Sequence, residues 1–205
     1  MKRLTKSELV GDEHIIASRT SEKNKKRYSI LNNITIDRAT YQFAEREVSP
    51  YFSMVLPENF HDLAPEYILL KYPNVNRPTI ILSNAEGVIN FAFEHMPVNA
   101  KKVETRLKTY KAVIKRLHPS YVFFSENIFK IESGQKIVCY DFRGIAIDDD
   151  IYCLNFYTDL PKGELFGWFS CPIDSQAKWE PLVRQMIRTI KPLSPNENGE
   201  VGQNA

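Results

Sequence analysis

Three cysteines and one strip of mixed polar and aromatic residues are the places in this sequence where chemistry could sit. Cys139, Cys153 and Cys171 are all the cysteines there are. If Pro161 to Gly163 forms a three-residue loop, Leu160 opposes Glu164 and Cys153 then opposes Cys171 on the next strand. Two facing thiols could form a redox pair or half of a soft metal site. The plainer alternative is two small buried hydrophobes. With Asp148 to Asp150 as a three-residue turn, Ile147 opposes Ile151 and the residues sort onto two faces. One face carries Val138, Tyr140, Phe142, Tyr152, Leu154, Phe156, Leu160, Phe166 and Trp168, and reads as core. The other carries Asp141, Arg143, Asn155, Tyr157 and Asp159, with Arg143 opposite Asn155 and Asp141 opposite Tyr157.

That second face is the candidate ligand or partner face, because convergent polar groups among aromatics can hold a small molecule or a peptide. It could also supply an enzyme with side chains that converge in space without a linear motif. The blander reading is a solvated sheet face with cross-strand polar pairs. A separate basic surface is formed by Lys101, Lys108, Lys111 and Lys115, with only Glu104 among them. It could meet an acidic protein or a nucleic-acid backbone. No aromatics are interleaved with these lysines, which argues against single-stranded nucleic acid. His14, His61, His95 and His118 are far apart, and none has a helical i, i+4 partner. GxGxxG, GxxxxGK[ST], HExxH and GxSxG do not occur. The sequence therefore names no catalytic residue, no metal and no cofactor.

The elements that must position these groups come in two kinds. Tyr41 and Phe43, Tyr51 to Leu56, Thr79 to Leu82 and Val88 to Phe93 read as strands, the last two flanking an Asn84 to Gly87 hairpin turn. Pro65 to Tyr72 could make a helical turn or two before Pro73 stops it. The period then changes from 2 to 3.6. Asn99 is a good N-cap, and Val103, Leu107, Tyr110, Ile114 and Leu117 form one apolar stripe closed by His118-Pro119. Val122 to Phe124, Ile128 to Ile131, Gln135 to Ile147, Ile151 to Leu160 and Glu164 to Cys171 read as a meander of strands. A helix from about Ser175 to Ile190 follows, with Asp174 as its cap, Pro181 disturbing its first turn, and Trp179, Leu182, Val183, Met186, Ile187 and Ile190 on its apolar face. Sequential hairpins and two amphipathic helices predict an α+β fold: a mainly antiparallel sheet of about six to eight strands covered by two helices.

The bulk numbers bound the rest. The 205 residues fit one domain, expected over 28–191, with 1–27 as a basic flexible arm and 192–205 as a flexible tail. Met1 to Arg27 carries eight Lys or Arg against four Asp or Glu, while the remainder has nineteen against twenty-one, so the positive balance of the chain lies in the arm. Sparse cysteines without CxxC spacing, no secretory signal and no membrane-length apolar run suggest a cytoplasmic chain without a membrane partner.

Phe52-Ser53-Met54-Val55-Leu56-Pro57-Glu58-Asn59-Phe60 is similar to the early strand and proline turn of the PsbP/Mog-type α/β/α sandwich group, including its bacterial DcrB-like branch. Gly167-Trp168-Phe169-Ser170-Cys171-Pro172, followed by Trp179 and by Ile187 to Lys191, resembles that group's final strand and closing helix. The resemblance spans about Ala39 to Lys191. It implies a mostly non-catalytic role, as photosystem extrinsic subunit, Ran-GTPase binder or bacterial protein of unassigned role, and it carries over no functional residue by position. Together these readings lead to a non-catalytic interaction or accessory module with a protein partner. The alternatives are an enzyme or ligand binder built around Asp141, Arg143 and Tyr157, and a nucleic-acid accessory protein that uses the basic arm.

Overall fold

A computed structural model describes residues 28–131, 133–145 and 149–194. The expected arm at 1–27, most of the tail and the Asp148 end of the acidic turn lie outside the described residues. Strands whose central members are buried at consecutive positions form a seven-stranded antiparallel sheet from β5 (His61–Asp62), β6 (Ile80–Ser83), β7 (Asn90–Met96), β8 (Val122–Lys130), β9 (Lys136–Ile145), β10 (Asp150–Leu160) and β11 (Gly163–Pro172), in the spatial order β5-β6-β7-β11-β10-β9-β8. β1 (Ile34–Ile36) and β2 (Ala39–Tyr41) form a hairpin, and β3 (Phe43–Ser49), β4 (Phe52–Pro57) and β12 (Lys191–Pro192) make a three-stranded sheet ordered β12-β4-β3. Three α-helices, α1 (Pro65–Lys71), α2 (Val103–Leu117) and α3 (Gln176–Met186), and two 3-10 turns (Ile173–Ser175 and Ile187–Thr189) complete the described elements.

The large sheet is covered on both faces. On one face, Phe91, Phe93, Leu154, Phe156 and Phe169 pack with Trp179, Leu182 and Met186 of α3 and with Met54 and Leu56 of β4. Trp179 is fully buried, its ring edge-on to Tyr41 at 4.9 Å. On the opposite face, Val138, Tyr140, Phe142 and Tyr157 pack with Val103 and Leu107 of α2. Farther along that face, Ile68 and Tyr72 of the α1 segment pack with Leu63, Ile81, Ala92 and Trp168. These are called below the α3 face and the α2 face.

The α+β class and the mainly antiparallel sheet expected from the sequence are present. Four local expectations are corrected. α2 starts at Val103, not after Asn99, whose side chain instead accepts a hydrogen bond from the Lys101 N–H at 3.0 Å. Its stripe is buried only at Val103 and Leu107, while Leu117 is exposed, so the burial of about 1.5–3 kcal/mol per side chain is won at two positions rather than five. Asp174 lies in a 3-10 turn (Ile173–Ser175) ahead of α3 and does not cap it. The two strand segments expected at 122–131 are one strand, β8, with a bulge between Phe123 and Ser125.

Candidate functional site

The geometry of the candidate groups turns on register, because a slip by an odd number of residues sends a strand's side chains to the other face. The β10–β11 loop holds two residues, so Leu160 faces Gly163, Tyr152 faces Cys171 and Cys153 faces Ser170. Gly163 takes a φ of +137°, and a Cβ there would sit 2.4 Å from the Met96 carbonyl oxygen, so only glycine closes this turn. Cys153 therefore lies in the α2-face core and Cys171 in the α3-face core, and the facing pair expected from a three-residue loop does not form. All three cysteines are free and buried. Burial pushes the Cys139 thiol up to about 11 and the Cys153 thiol up to about 12, and raises that of Cys171 as well. None is a thiolate at neutral pH.

Between β9 and β10 the slip is three residues: Asp141 faces Leu154, Arg143 faces Tyr152 and Tyr157 faces Val138. The expected polar strip is thereby divided. Asp141 and Arg143 share the α3 face; Asn155, Tyr157 and Asp159 share the α2 face. The pairings of Arg143 with Asn155 and of Asp141 with Tyr157 are not formed. Arg143 is exposed and reaches Asp150 at 3.4 Å.

Asp141 is the hub of a buried network on the α3 face. Its carboxylate accepts four hydrogen bonds: from the Ser125 N–H at 2.8 Å, the Ser125 hydroxyl at 2.6 Å, the Tyr152 phenol at 3.0 Å and Arg184 Nη2 at 2.8 Å. Arg184 also reaches Glu180 and the Ser125 hydroxyl, so α3 is tied to the β8 bulge. Burial, with Asp141 nearby, holds the Tyr152 phenol well above its usual range. Every oxygen of Asp141 is taken by the protein itself, which makes this a clamp. Sequence reasoning missed Ser125, Tyr152 and Arg184 because their partners are brought together only by the fold.

A second clamp lies on the α2 face. Arg106 is almost fully buried; its Nε lies 3.1 Å from Glu164, Nη2 bonds Asp159 and Nη1 donates to the Asn99 carbonyl at 3.3 Å. Asp159 and Glu164 are cross-strand neighbours, so one arginine holds α2 to the tip of the β10–β11 hairpin. Desolvation raises the Glu164 pKa against the lowering effect of Arg106, and Asp159 pushes it the same way as burial does. The signal for Arg106 was in the sequence: it stands three residues after Val103, inside the apolar stripe. Beside it, Asn155 donates to the Tyr140 hydroxyl at 3.0 Å, and Tyr157 stacks between Tyr110 and Phe166 at 4.8 Å on each side.

The lysines of the basic surface fall into two groups. Lys111 pairs with Glu126 at 2.9 Å, and Lys111 and Lys115 lie over the Phe123 ring at 5.5 and 5.3 Å. An aromatic ring is therefore set beneath two of them, and Tyr110 stands between Lys108 and Lys111 in the sequence. Lys101 and Lys108 are exposed. Among the described residues, no group of three or more His, Cys, Asp or Glu is arranged to hold a metal, and no helix is long and apolar enough to cross a membrane.

No side chain at α1 was singled out from the sequence, yet none of its seven residues is buried. Leu69 is 64% exposed, Leu70 72% and the following Val75 90%. Isolated helices this short are unstable in water. Ile68 and Tyr72 hold this one to the sheet, and its leucines are left in solvent.

No family model and no curated protein matches the chain. Among solved structures, the chain is similar to the cyanobacterial PsbP protein CyanoP of Synechocystis, at 12% identity and a TM-score of 0.53, over 78% of this chain and 96% of that one. It is similar to the Ran-binding protein Mog1p of Saccharomyces cerevisiae, at 12% identity and a TM-score of 0.50, over 74% of this chain and 95% of that one. At this identity the likeness is one of fold: the chain has a PsbP/Mog-like architecture.

Proposed function

We propose that this PsbP/Mog-like chain is a non-catalytic accessory module that binds a protein partner, and that α1 is its docking surface. The observation that carries the proposal is the solvent exposure of Leu69 and Leu70 on α1, and of Val75 just after it, although Ile68 and Tyr72 pack this segment onto the sheet. An apolar surface already folded onto the sheet costs less conformational entropy on binding than an unfolded segment would, and exposed apolar groups of this size are candidates for interaction sites. The same fold in a protein named for binding Ran supports a role in protein binding without identifying this chain's partner.

The test is affinity purification with chemical cross-linking, comparing the wild-type chain with a Leu69→Glu/Leu70→Glu variant of unchanged circular dichroism. A specific cross-linked protein is expected with the wild type and not with the variant. Identical cross-linked sets from the two would sink α1 as the docking surface.

A further inference from the structure

The far edge of the large sheet carries a second surface, distinct from α1. β8 is the terminal strand of the seven, bonded on one side to β9. The β8–β9 hairpin closes with the Ile131 N–H donating to the Gln135 carbonyl, so hydrogen-bonded pairs follow at every second residue: Phe129 with Ile137, then Asn127 with Cys139. The intervening residues, Glu126, Ile128 and Lys130, therefore turn their backbone N–H and C=O groups outward from the sheet edge. By the same alternation their side chains lie on the α2 face, where Ile128 is exposed.

A row of lysines runs beside this edge. Lys111 reaches Glu126 and Lys115 reaches Phe123, so α2 and β8 run in opposite directions, with Lys108 level with the Ile128 end. Glu104 is taken by Lys136 at 2.6 Å and Glu126 by Lys111. Lys108, Lys115 and Lys130 are exposed and have no carboxylate partner among the described residues. Natural edge strands are usually blunted by bulges or charge. Here the bulge lies at the Phe123 end, and the six residues from Ser125 to Lys130 continue regular pairing beyond it.

We propose that the outer edge of β8 accepts an extended acidic segment of a partner protein as an added strand, its backbone on Glu126, Ile128 and Lys130 and its carboxylates toward Lys108, Lys115 and Lys130. Charge selects this occupant. A second copy pairing β8 to β8 would bring two rows of like charge together, whereas the carboxylates of an acidic strand meet Lys108, Lys115 and Lys130, with Glu126 already neutralised by Lys111. Main-chain bonds supply affinity in this mode and alternate side chains supply selectivity.

The test uses the full chain and a fluorescein-labelled, end-blocked octapeptide of alternating Glu and Val, read by fluorescence anisotropy. Saturable binding that weakens as salt rises from about 50 to 300 mM is expected. A probe of the same length and charge with its two inner valines replaced by proline should bind at least about tenfold more weakly, because proline cannot donate to the ladder. Lys108→Glu/Lys115→Glu/Lys130→Glu should abolish binding. Ile128→Pro should abolish it too, since it removes only an outward N–H; unchanged circular dichroism checks its fold, and the triple lysine variant tests the site independently. Equal binding of the proline probe would overturn strand addition, and so would tighter binding of an oligonucleotide than of the peptide. Dimerisation of the free chain through β8 would assign the edge to a second copy instead. Failure of the wild-type chain to bind the peptide, with α1-dependent capture intact, would remove this proposal and leave the α1 reading in place.

Discussion

Replacing Asp141 with alanine tests whether the α3-face network clamps the fold. The substitution deletes an acceptor that takes four hydrogen bonds and leaves Arg184 facing the sheet without its buried partner. Breaking a buried ion pair costs about 3–5 kcal/mol. Arg184 keeps Glu180 and some solvent, which argues for the lower end. The buried Tyr152 hydroxyl loses its acceptor, a further cost of about 1–3 kcal/mol that is not additive with the first. The net expectation is a loss of about 3–4 kcal/mol, a large share of the roughly 5–15 kcal/mol that holds a domain folded. For a chain of this size that lowers the melting temperature by roughly 6–16 °C. Urea unfolding followed by tryptophan fluorescence reads it directly, because Trp179 is fully buried on α3 itself. Arg184→Met supplies the second corner of a double-mutant cycle, and the two changes should couple by about 1–3 kcal/mol. A loss under about 1 kcal/mol for Asp141→Ala, or strictly additive costs in the cycle, would refute the clamp.

Further expectations concern turns and titrating groups. Gly163→Ala should destabilise by more than about 2 kcal/mol in urea, since its Cβ would meet the Met96 carbonyl, whereas Gly134→Ala, at φ +86° in open space, should cost only about 1 kcal/mol. The β1–β2 turn places Asp37 and Arg38 at φ +50° and +72°, so Arg38→Gly should stabilise by about 0.5–1 kcal/mol, read as a higher urea midpoint. A thiol reagent at pH 8 should find no reactive cysteine in the native chain and three after unfolding; rapid native labelling would contradict the buried, raised thiols. The raised pKa of Glu164 means that the folded state binds its proton more tightly than the unfolded one. Stability from this group is therefore highest at acid pH and falls as pH rises from the ordinary glutamate range through the raised value. Glu164→Gln should remove that decline, measured as the change in urea midpoint between pH 4 and 7.

The strands and helices were legible because their signals are written locally: a short, β-branched and aromatic apolar run in Ile137 to Phe142, and a 3.6-residue repeat from Val103 to Leu117. Pairing was not, because it depends on loop lengths that composition does not fix. Reading Pro161 to Gly163 as three loop residues instead of two moved Cys171 to the wrong face, and a three-residue slip at the acidic turn merged Asp141 and Tyr157 onto one strip. Arg106 and Arg184 escaped notice for a related reason. A charged residue in a helix reads as solvent-facing until a carboxylate from a distant strand, Glu164 or Asp141, arrives to receive it. The exposure of α1 was equally hidden, since Tyr67-Ile68-Leu69-Leu70 looks like core in any local window.

Placing a photoreactive benzoylphenylalanine in place of Leu70, with exposed Asn33 as the control position, asks whether α1 is where this chain meets another protein. After irradiation of cells, a single discrete adduct at position 70 that is missing at position 33, and lost when Leu69→Glu is added, is the predicted outcome. No adduct at position 70, or the same pattern at both positions, would contradict the account.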